Sequence, residues 1–383
     1  MNVLCVTWDG AGNLPPMLGI ARRLSADGHR VRVLGHRRSR EWVESTGSRF
    51  VPYAATHDFD STVGLPPEEE VSFLWEKVWF SAAVAEDVAV QLQHEPADVV
   101  VADHMLAGAF CAAERAEVPV VALFHQPWSA FQAGPFADFW RSARPLVAAM
   151  RDSLGLSDIA EPQDLWTGVP VLAASIPELG LPLPLPADVH HVGWVAEHPP
   201  HAPPGPRPVP PGDAPLIVIA HSTSQMGQVS VLNAVLEALA GLPVRALVTT
   251  GPAVDPASLE APPNASVVEY LPHELVLGDA AVVVTHAGHG STLAALAHAV
   301  PMVCLPMGRD QFFLAQRVEE LGVGVQLAPG WSPEDVAGAV RTVLGEPRYA
   351  DAARRMADGI AGYGGVGAAA EVVVNAARAA RVP

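Results

Sequence analysis

The sequence predicts an α/β protein made of two doubly wound domains, each with a parallel sheet covered by helices, and three observations support this. The chain has 383 residues, more than one ordinary domain of about 150–200 residues. Short Val/Ile/Leu runs alternate with Ala/Leu/Arg-rich helical stretches, as in a buried parallel sheet. A proline-rich segment, 196–214, divides the chain, and so much proline excludes a helix or a central strand.

Strands and helices alternate along both halves. The opening run, 2–7, ends in a glycine turn, and a helical stretch follows at 16–29. Apolar runs predict the remaining strands at 31–37, 48–53, 97–104 and 118–125, and then at 214–222, 244–251, 265–271, 280–288 and 301–308. Ligands bind beyond the carboxyl ends of such strands, so we expect a cleft between two facing domains.

The bulk composition excludes several classes of protein. The formal net charge of −18 argues against a nucleic-acid partner, which needs clustered Lys and Arg. The start of the chain lacks a signal-peptide pattern, and no run of about 18 apolar residues predicts a membrane partner. Three cysteines lie far apart in apolar runs, which indicates buried free thiols. We predict a cytoplasmic protein that is a monomer or a homodimer.

The most informative motif, "THAGHGSTLAALAHAVPMVCLPMGRDQFFLAQRVEELGVG", covers residues 285–324. A strand ends at its start, a glycine-containing turn follows, and an Ala/Leu helix begins. Glycines let a backbone approach a ligand closely, and the free N–H groups of a helix start suit phosphate oxygens. The groups expected to contact phosphate are His286, Gly288, Gly290, Ser291 and Thr292, with His289 as the other imidazole.

This segment closely resembles the donor-binding signature of the inverting glycosyltransferases of the GT-B fold, family 1. It is most similar to the actinomycete natural-product glycosyltransferases of the macrolide and aromatic-polyketide type. The resemblance implies that His286 contacts the donor pyrophosphate and that Gly288, Gly290, Ser291 and Thr292 cradle it. It also implies that Asp310 and Gln311 hold the hydroxyls of the donor sugar.

The same resemblance assigns roles to neighbouring segments and to the domains. Tyr270 and His273 match the positions that flank the nucleotide base, where the family usually has Trp and often Gln. Ser222 and Thr223 match the first turn of the donor domain, near the phosphates. The implied domains are an acceptor-binding domain at 1–195, a linker at 196–214, a nucleotide-sugar domain at 215–365, and a helix at 366–383 packing back on the first domain.

The turn "TWDGAGNLPP", 7–16, departs from the resembled family at one position. Family members have a His there that removes the acceptor's proton and is oriented by an Asp. Asn13 stands at that position, and Asp103 matches the Asp. An amide cannot take a proton near neutral pH, and asparagine followed by proline is also a favoured helix cap. We therefore predict that Asn13 caps the helix or orients the acceptor.

Three ways of replacing the missing base stay open. Asp103 could act directly, and it is the first choice. Asp9, four residues before Asn13, could act instead. The third possibility is a nucleophile that needs little activation, such as an acidic phenol, a carbon ortho to a phenolate, or an amide or indole nitrogen.

Aromatic residues are concentrated in the first half, and core packing accounts for part of them. The rest suit a flat hydrophobic acceptor, because such rings supply large apolar area in small-molecule pockets. Two tryptophans four residues apart would share one helix face. The predicted acceptor-binding residues are Trp75, Trp79, Phe124, His125 and Trp128.

The leading hypothesis is an inverting, metal-independent glycosyltransferase without a cofactor. It would move a sugar, plausibly a deoxysugar, from a TDP- or UDP-sugar to a hydrophobic natural-product aglycone in antibiotic biosynthesis. A nucleotide-sugar epimerase or hydrolase of the same fold is the first alternative. The second is a non-catalytic partner that binds a nucleotide sugar.

Overall fold

The computed structural model describes residues 1–200 and 208–380. They form two compact units, which we call the first unit (residues 1–60, 65–200 and 363–380) and the second unit (residues 61–64 and 208–362). Residues 201–207 of the predicted linker and 381–383 of the predicted C-terminal helix lie outside the described residues. The functional domain boundaries stay a prediction.

The first unit contains a seven-stranded sheet, all of whose pairings are parallel. Its strands are β1 (Asn2–Val6), β2 (Arg30–Gly35), β3 (Arg49–Pro52), β4 (Val99–Asp103), β5 (Val120–Phe124), β6 (Val171–Ala173) and β7 (Val189–His191). Their order in the sheet is β3-β2-β1-β4-β5-β6-β7. Because β1 pairs with β4 and Val6 lies opposite Ala102, the segments that follow these two strands emerge side by side.

Seven helices accompany this sheet along the chain. They are α1 (Leu14–Ala26), α2 (Arg40–Ser45), α3 (Pro67–Leu74), α4 (Ala82–His94), α5 (Ala107–Arg115), α6 (Pro135–Ser142) and α7 (Arg144–Ser153). The central strands are buried on both faces: Val3, Leu4 and Val6 have no exposed surface. This explains their continuous apolar sequence, since each such side chain stabilises the fold by about 1.5–3 kcal/mol when fully buried.

The second unit contains a six-stranded parallel sheet in the order β10-β9-β8-β11-β12-β13. The strands are β8 (Leu216–Ala220), β9 (Arg245–Thr249), β10 (Ala265–Val268), β11 (Ala280–Thr285), β12 (Met302–Cys304) and β13 (Gly324–Gln326). The helices are α8 (Val229–Ala240), α9 (His289–Ala297), α10 (Gln311–Glu320), α11 (Pro333–Gly345) and α12 (Pro347–Ile360). Neighbouring β8, β11 and β12 all end at the same edge of the sheet.

The last helix, α13 (Gly365–Ala379), belongs to the first unit and packs against α1. Its apolar face, including Ala369 and Val373, is part of the core that holds Leu18 and Leu24 of α1. Within the described residues, one helical stretch, Pro347–Ala379, is long and apolar enough to qualify as a membrane span by length and composition. Gly364, with φ +79°, interrupts that stretch between α12 and α13. Four residues of α13 are buried, Ala369, Ala370, Val373 and Ala377, so the helix buries one face.

Three strands were not predicted from the sequence. They are β6, β7 and β13, of three residues each. The segments of β7 and β13 contain His or Gln and produce no apolar run. The segment of β6 is apolar, but a proline, Pro170, directly precedes it and weakens the strand pattern. The segment around Trp75 and Trp79 also differs from an α-helix: residues 75–79 form a π-helical stretch that ends with a hydrogen bond from the Phe80 N–H to the Trp75 carbonyl.

Candidate active site

Three loops of the second unit meet beyond the ends of β8, β11 and β12. The Arg309 guanidinium donates to Ser224 Oγ over 3.0 Å. The Gln311 amide nitrogen lies 3.4 Å from Met226 Sδ. These contacts join the loop after β12 to the loop after β8, and the turn after β11 lies between them because its strand is the central one of the three. The sequence-predicted donor residues at 222–223, 286–292 and 310–311 are therefore brought to one edge of the sheet.

The turn after β11 holds its histidine against the backbone. Ala287 has φ +63°, a left-handed conformation unusual for a residue with a side chain. Its N–H donates to Thr285 Oγ1 over 3.2 Å. A Cβ on Gly288 would lie 2.4 Å from His286 Nε2, so only glycine permits this close approach of the ring. Gly288 therefore has a structural role, because a side chain at that position would collide with the imidazole of His286.

The start of α9 presents donors that the helix itself does not use. Gly288 occupies the N-cap position, and the first intrahelical bond runs from the Thr292 N–H to the Gly288 carbonyl over 2.9 Å. The N–H groups of the first turn, including those of Gly290 and Ser291, have no partner within the helix. Thr292 Oγ1 is buried and makes no hydrogen bond to the described residues. A helix start of this kind attracts an anion.

Two buried histidines lie beside this helix start. The rings of His221 and His286 are 5.1 Å apart between centroids. Both ring nitrogens of His221 and Nδ1 of His286 are buried and have no hydrogen-bond partner among the described residues. An unsatisfied buried polar atom is costly, so this arrangement is typical of a site completed by a ligand.

Both imidazoles are neutral in this state. Burial lowers the pKa of His286 to about 4, a hydrogen bond to the backbone of Ala220 opposes the shift, and the charge of Arg309 adds to it. Burial, followed by the charge of His286, moves the pKa of His221 well below its ordinary value. An anion bound beside the two rings would raise the pKa of both histidines, because an opposite charge favours the protonated form.

His221 and Arg309 were not among the predicted site residues. In the segment after β8, the sequence predicts contacts from the hydroxyl groups of Ser222 and Thr223 only. The available signal was a histidine directly after a fully apolar strand, at the edge where the predicted motif also ends. Arg309, which has φ +55°, immediately precedes the predicted Asp310–Gln311 pair, and a cation there suits an anionic ligand.

The other predicted donor residues occupy varied environments. Ser222 is buried and its Oγ lies 2.9 Å from Ser224 Oγ, whereas Thr223 is exposed. Gln311 is 2% exposed, and its side-chain oxygen accepts from the N–H groups of Met307 and Gly308. Gln311 therefore fixes the loop preceding it. Three further residues are half-buried and each interacts with another residue: Tyr270 and His273 before β11, and Asp310 before α10.

In the first unit, the Asn13 amide is saturated by protein groups. Its nitrogen lies 2.8 Å from Asp103 Oδ2, 2.9 Å from the Trp8 carbonyl and 3.2 Å from Thr7 Oγ1. Its oxygen accepts from the Gly10 N–H over 3.0 Å. Asn13 stands at the N-cap position of α1 but its side chain makes no capping bond. The capping interpretation is therefore wrong, and Asn13 is a partner of Asp103.

Asp103 is fully buried at the end of β4. Besides Asn13, it is contacted by the Met105 N–H, 3.0 Å from Oδ1, and by His125 Nε2, 3.4 Å from Oδ2. Burial alone would raise its pKa. The charge of His125, whose Nε2 lies close to Oδ2, the charge of His104 and the Met105 N–H together outweigh burial and hold the pKa of Asp103 below its ordinary value. The site therefore contains a buried carboxylate in its ionised form.

His104 and His125 differ in their access to solvent. The His104 ring is fully buried, stacked on Phe124 at 4.2 Å between centroids, and its Nδ1 lies 3.3 Å from the Leu123 carbonyl. Burial, and then the charge of His125, lower the pKa of His104 to about 3. The side chain of His125 keeps 11% of its surface exposed.

Asp103, His104 and His125 place ligand-type atoms within 4.8 Å of one another. One of the ring nitrogens in this group, His104 Nδ1, does not suit a metal. The Leu123 carbonyl requires a hydrogen on the His104 nitrogen nearest the carboxylate, whereas a ligating nitrogen must be unprotonated. Asp103 already accepts from the amide of Asn13 and the N–H of Met105.

Asp9 lies in a different setting from Asp103. Its side chain has no exposed surface, and Arg38 lies 3.5 Å from its Oδ2. Arg38 also pairs with Asp60 at 3.2 Å. The Asp9 carboxylate therefore has a cation beside it.

The predicted acceptor-binding aromatic residues fall into two groups. Phe124 has no exposed surface and packs in the core against His104 and Trp166, so no acceptor reaches it in this structure. Trp79 and Trp128 are 9% and 8% exposed. Trp75 is half-buried and, like Trp79, contacts Phe139, at 4.5 Å and 5.9 Å between centroids respectively.

Comparison with known proteins gives a consistent picture. Residues 233–375 match the family described as erythromycin biosynthesis protein CIII-like, C-terminal domain. The chain is 28% identical to 4'-demethylrebeccamycin synthase of Lentzea aerocolonigenes over 410 residues, which cover 93% of this chain and 95% of that protein.

Solved structures of other proteins share this architecture over 99–100% of the chain. The chain is similar to CalG4, the calicheamicin glycosyltransferase, with a TM-score of 0.80, 23% identity and coverage of 100% of this chain and 99% of that one. It is similar to the glycosyltransferase VinC, solved in complex with DTDP, with a TM-score of 0.75, 19% identity and coverage of 99% and 100%. The predicted fold class is confirmed.

Proposed function

We propose, on the premise that the chain belongs to the GT-B glycosyltransferases of actinomycete natural-product biosynthesis, that it transfers a deoxysugar from a TDP- or UDP-sugar to a hydrophobic aglycone. The transfer inverts the anomeric configuration and uses no metal. The second unit binds the donor, and the first unit binds the acceptor. The product is a glycosylated natural product of the antibiotic type.

The observation that carries the proposal is the histidine pair beside the start of α9. His221 and His286 offer three buried ring nitrogens without partners among the described residues, next to a helix start whose N–H groups are directed outward. A diphosphate supplies the acceptors and the negative charge that such a site lacks. Arg309 adds a fixed cation to this group of loops.

The same groups support the chemical step. In an inverting displacement the acceptor attacks the anomeric carbon on the face opposite the diphosphate. Negative charge then accumulates on the leaving phosphate oxygen. Donors that are already in place stabilise this charge more effectively in the transition state than in the ground state, and imidazoles, an arginine and helix N–H groups do so without a metal.

The acceptor's hydrophobic character is supported by the aromatic cluster of the first unit. Trp75 and Phe139 are half-buried and pack edge to face, so each leaves ring surface available. Flat apolar molecules bind to such surfaces with little loss of side-chain entropy. The Trp75 ring also packs on Phe80 at 4.6 Å, which holds it in place.

The test combines binding with turnover. Calorimetry with TDP and UDP measures occupancy of the donor site, and turnover is then assayed with TDP-deoxysugars and a panel of aromatic and macrolide aglycones, with and without EDTA. We expect nucleotide release only with an acceptor, insensitivity to EDTA, and a glycoside whose NMR coupling constants show inversion. Epimerised donor, retention of configuration, or binding without turnover would each contradict the proposal.

A further inference from the structure

The position of the general base follows from which polar groups of the first unit can contact an acceptor. The Asn13 amide has no lone pair of sufficient basicity, and its oxygen already accepts from Gly10. The Asp103 carboxylate is ionised but has no exposed surface. Asp9 has no exposed side-chain surface either, and it is paired with Arg38. None of these three groups can remove a proton from a bound acceptor by direct contact.

His125 has both the contact and the exposure that these groups lack. It follows β5, the neighbour of β4, so its ring comes to the edge where Asp103 ends its strand. Nε2 is buried, lies 3.4 Å from Asp103 Oδ2 and makes no hydrogen bond to the described residues in this conformation, so the carboxylate is its charged neighbour. Nδ1 is not among the buried unsatisfied nitrogens, and the His125 side chain keeps 11% of its surface exposed.

We propose that His125 is the catalytic general base, taking the acceptor's proton at Nδ1, and that Asp103 is the residue that positions it. This rests on the function proposed above. Asp103 faces Nε2 and so favours the tautomer with the hydrogen on Nε2 and the lone pair on Nδ1. Asn13 holds the carboxylate in place by donating to the same Oδ2. The proposed pair is therefore still a histidine and an aspartate, but the histidine follows β5, whereas Asn13 lies in the turn after β1.

The step balances without another reactant. The acceptor oxygen forms a bond to the anomeric carbon, and the bond between that carbon and the phosphate oxygen breaks. The electron pair of the broken bond leaves with the nucleoside diphosphate. The acceptor's proton moves to His125 Nδ1, Asp103 stabilises the imidazolium that results, and solvent then removes the proton.

The surrounding titratable groups favour His125 over its neighbour. His104, whose ring lies 4.8 Å from that of His125 between centroids, is sealed in the core. Tyr53 lies on the other side of Asp103 and donates to the Thr7 carbonyl over 2.8 Å. Burial raises its pKa well above the ordinary value, and the charges of Asp87 and Asp103 raise it further. Asp103 is therefore the charged group that faces His125.

The kinetic test uses His125→Gln, with His94→Gln on the exposed end of α4 as the control. Glutamine keeps a donor toward Asp103 but cannot act as a base. We expect kcat to fall by about 10²–10⁴-fold, as for loss of a general base, with TDP affinity unchanged. The ascending limb of the pH profile should disappear, and free imidazole should restore turnover to His125→Ala. A folded His125→Gln variant with near-normal kcat and an unchanged pH limb would overturn the proposal.

A second measurement does not depend on activity. In protein labelled with ¹⁵N-histidine, His125 should carry its proton on Nε2 and lose that preference in Asp103→Asn. A preference for Nδ1–H, or no response to Asp103→Asn, would contradict the assignment. Failure of the wild-type protein to bind TDP or UDP would overturn the proposed function. Wild-type turnover with an unimpaired His125→Gln variant would overturn only this inference.

Discussion

The two units each contain a pair of close histidines, and the pairs differ in what surrounds them. His104 and His125 lie beside a buried carboxylate, Asp103, at 3.6 Å and 3.4 Å respectively. Within the described residues, His221 and His286 contact each other and keep buried ring nitrogens without hydrogen bonds. The first pair already has its counter-charge within the protein. For the second pair, the function proposed above assigns the counter-charge to the diphosphate of the donor.

The backbone is not the source of this difference. Each pair lies next to a turn that follows a buried strand and precedes a helix, and each turn contains an alanine with φ +63°, Ala11 in one and Ala287 in the other. The turns differ in their side chains: Asn13 makes four hydrogen-bond contacts with protein groups, whereas His286 leaves Nδ1 unused. The same local geometry serves as a support in one unit and as a candidate binding site in the other.

Removing the counter-charge of the first pair tests this comparison most strongly. In Asp103→Asn the new amide would place a donor opposite the donors of Asn13 and His125. We expect turnover to fall at least ~10²-fold, the usual contribution of general-base catalysis, and stability to fall by about 1–3 kcal/mol from the mismatched buried donors. Steady-state kinetics and thermal unfolding measure the two effects, and Asp27→Asn on the exposed end of α1 is the control. Near-normal turnover would show that the carboxylate has no part in the reaction.

Removing one member of the second pair should affect donor binding instead. We expect His286→Gln and His221→Gln each to weaken TDP binding by about tenfold or more, because a hydrogen bond to a charged group contributes about 1.5–3 kcal/mol. Calorimetry measures the change. His298→Gln, at the other end of α9, is the matched control. Affinities within twofold of the wild type for both variants would contradict the assignment of a ligand to this pair.

The smallest expected effect is a pH dependence of donor binding. In the free protein the pKa of His286 is lowered to about 4 and that of His221 is also lowered, and a bound diphosphate should raise both. Protonation of the histidines strengthens anion binding. This gain in binding free energy is complete at a pH below the pKa of the free protein, and it is lost as the pH rises through the higher pKa of the complex. Between about pH 5.5 and pH 8 we therefore expect the Kd for the nucleotide to rise by about threefold beyond the change caused by the nucleotide's own titration.

The protonation effect has to be separated from titration of the nucleotide itself. Calorimetry in two buffers of different ionisation enthalpy gives the protons taken up on binding. The wild-type protein should take up a larger fraction of a proton than the double variant His221→Gln/His286→Gln. Equal proton uptake by the two proteins would show that neither imidazole becomes charged in the complex.

Much of the fold could be predicted because each long strand is a continuous apolar run. The sequences of β1, β4, β8 and β11 are such runs, whereas β13, with the sequence Gly-Val-Gln, is not. The motif after β11 also identified its turn and helix start. The contact between Asn13 and Asp103 joins residues 90 apart in sequence. It depends on β1 and β4 being neighbours, which local sequence does not specify.

The roles of polar residues were harder to predict because they depend on burial. For Gln311 the motif predicts contact with the donor sugar, which stays a prediction, but it does not predict that the side-chain oxygen accepts from the backbone of the preceding loop. Phe124 and His125 are adjacent in sequence, but Phe124 is enclosed whereas His125 retains exposed surface. The alternation of neighbouring side chains at a strand end decides which of the two a ligand can touch.

The return of α13 to the first unit has a consequence for making hybrid enzymes. The chain enters the second unit and comes back, and the final helix contributes Ala369, Val373 and Ala377 to the core around α1. A chimera joined once near residue 208 would combine the opening half of one parent with the closing helix of another, at a tightly packed interface. Exchanging the first unit between relatives therefore requires two crossovers, so that α13 and the core it packs against come from the same parent.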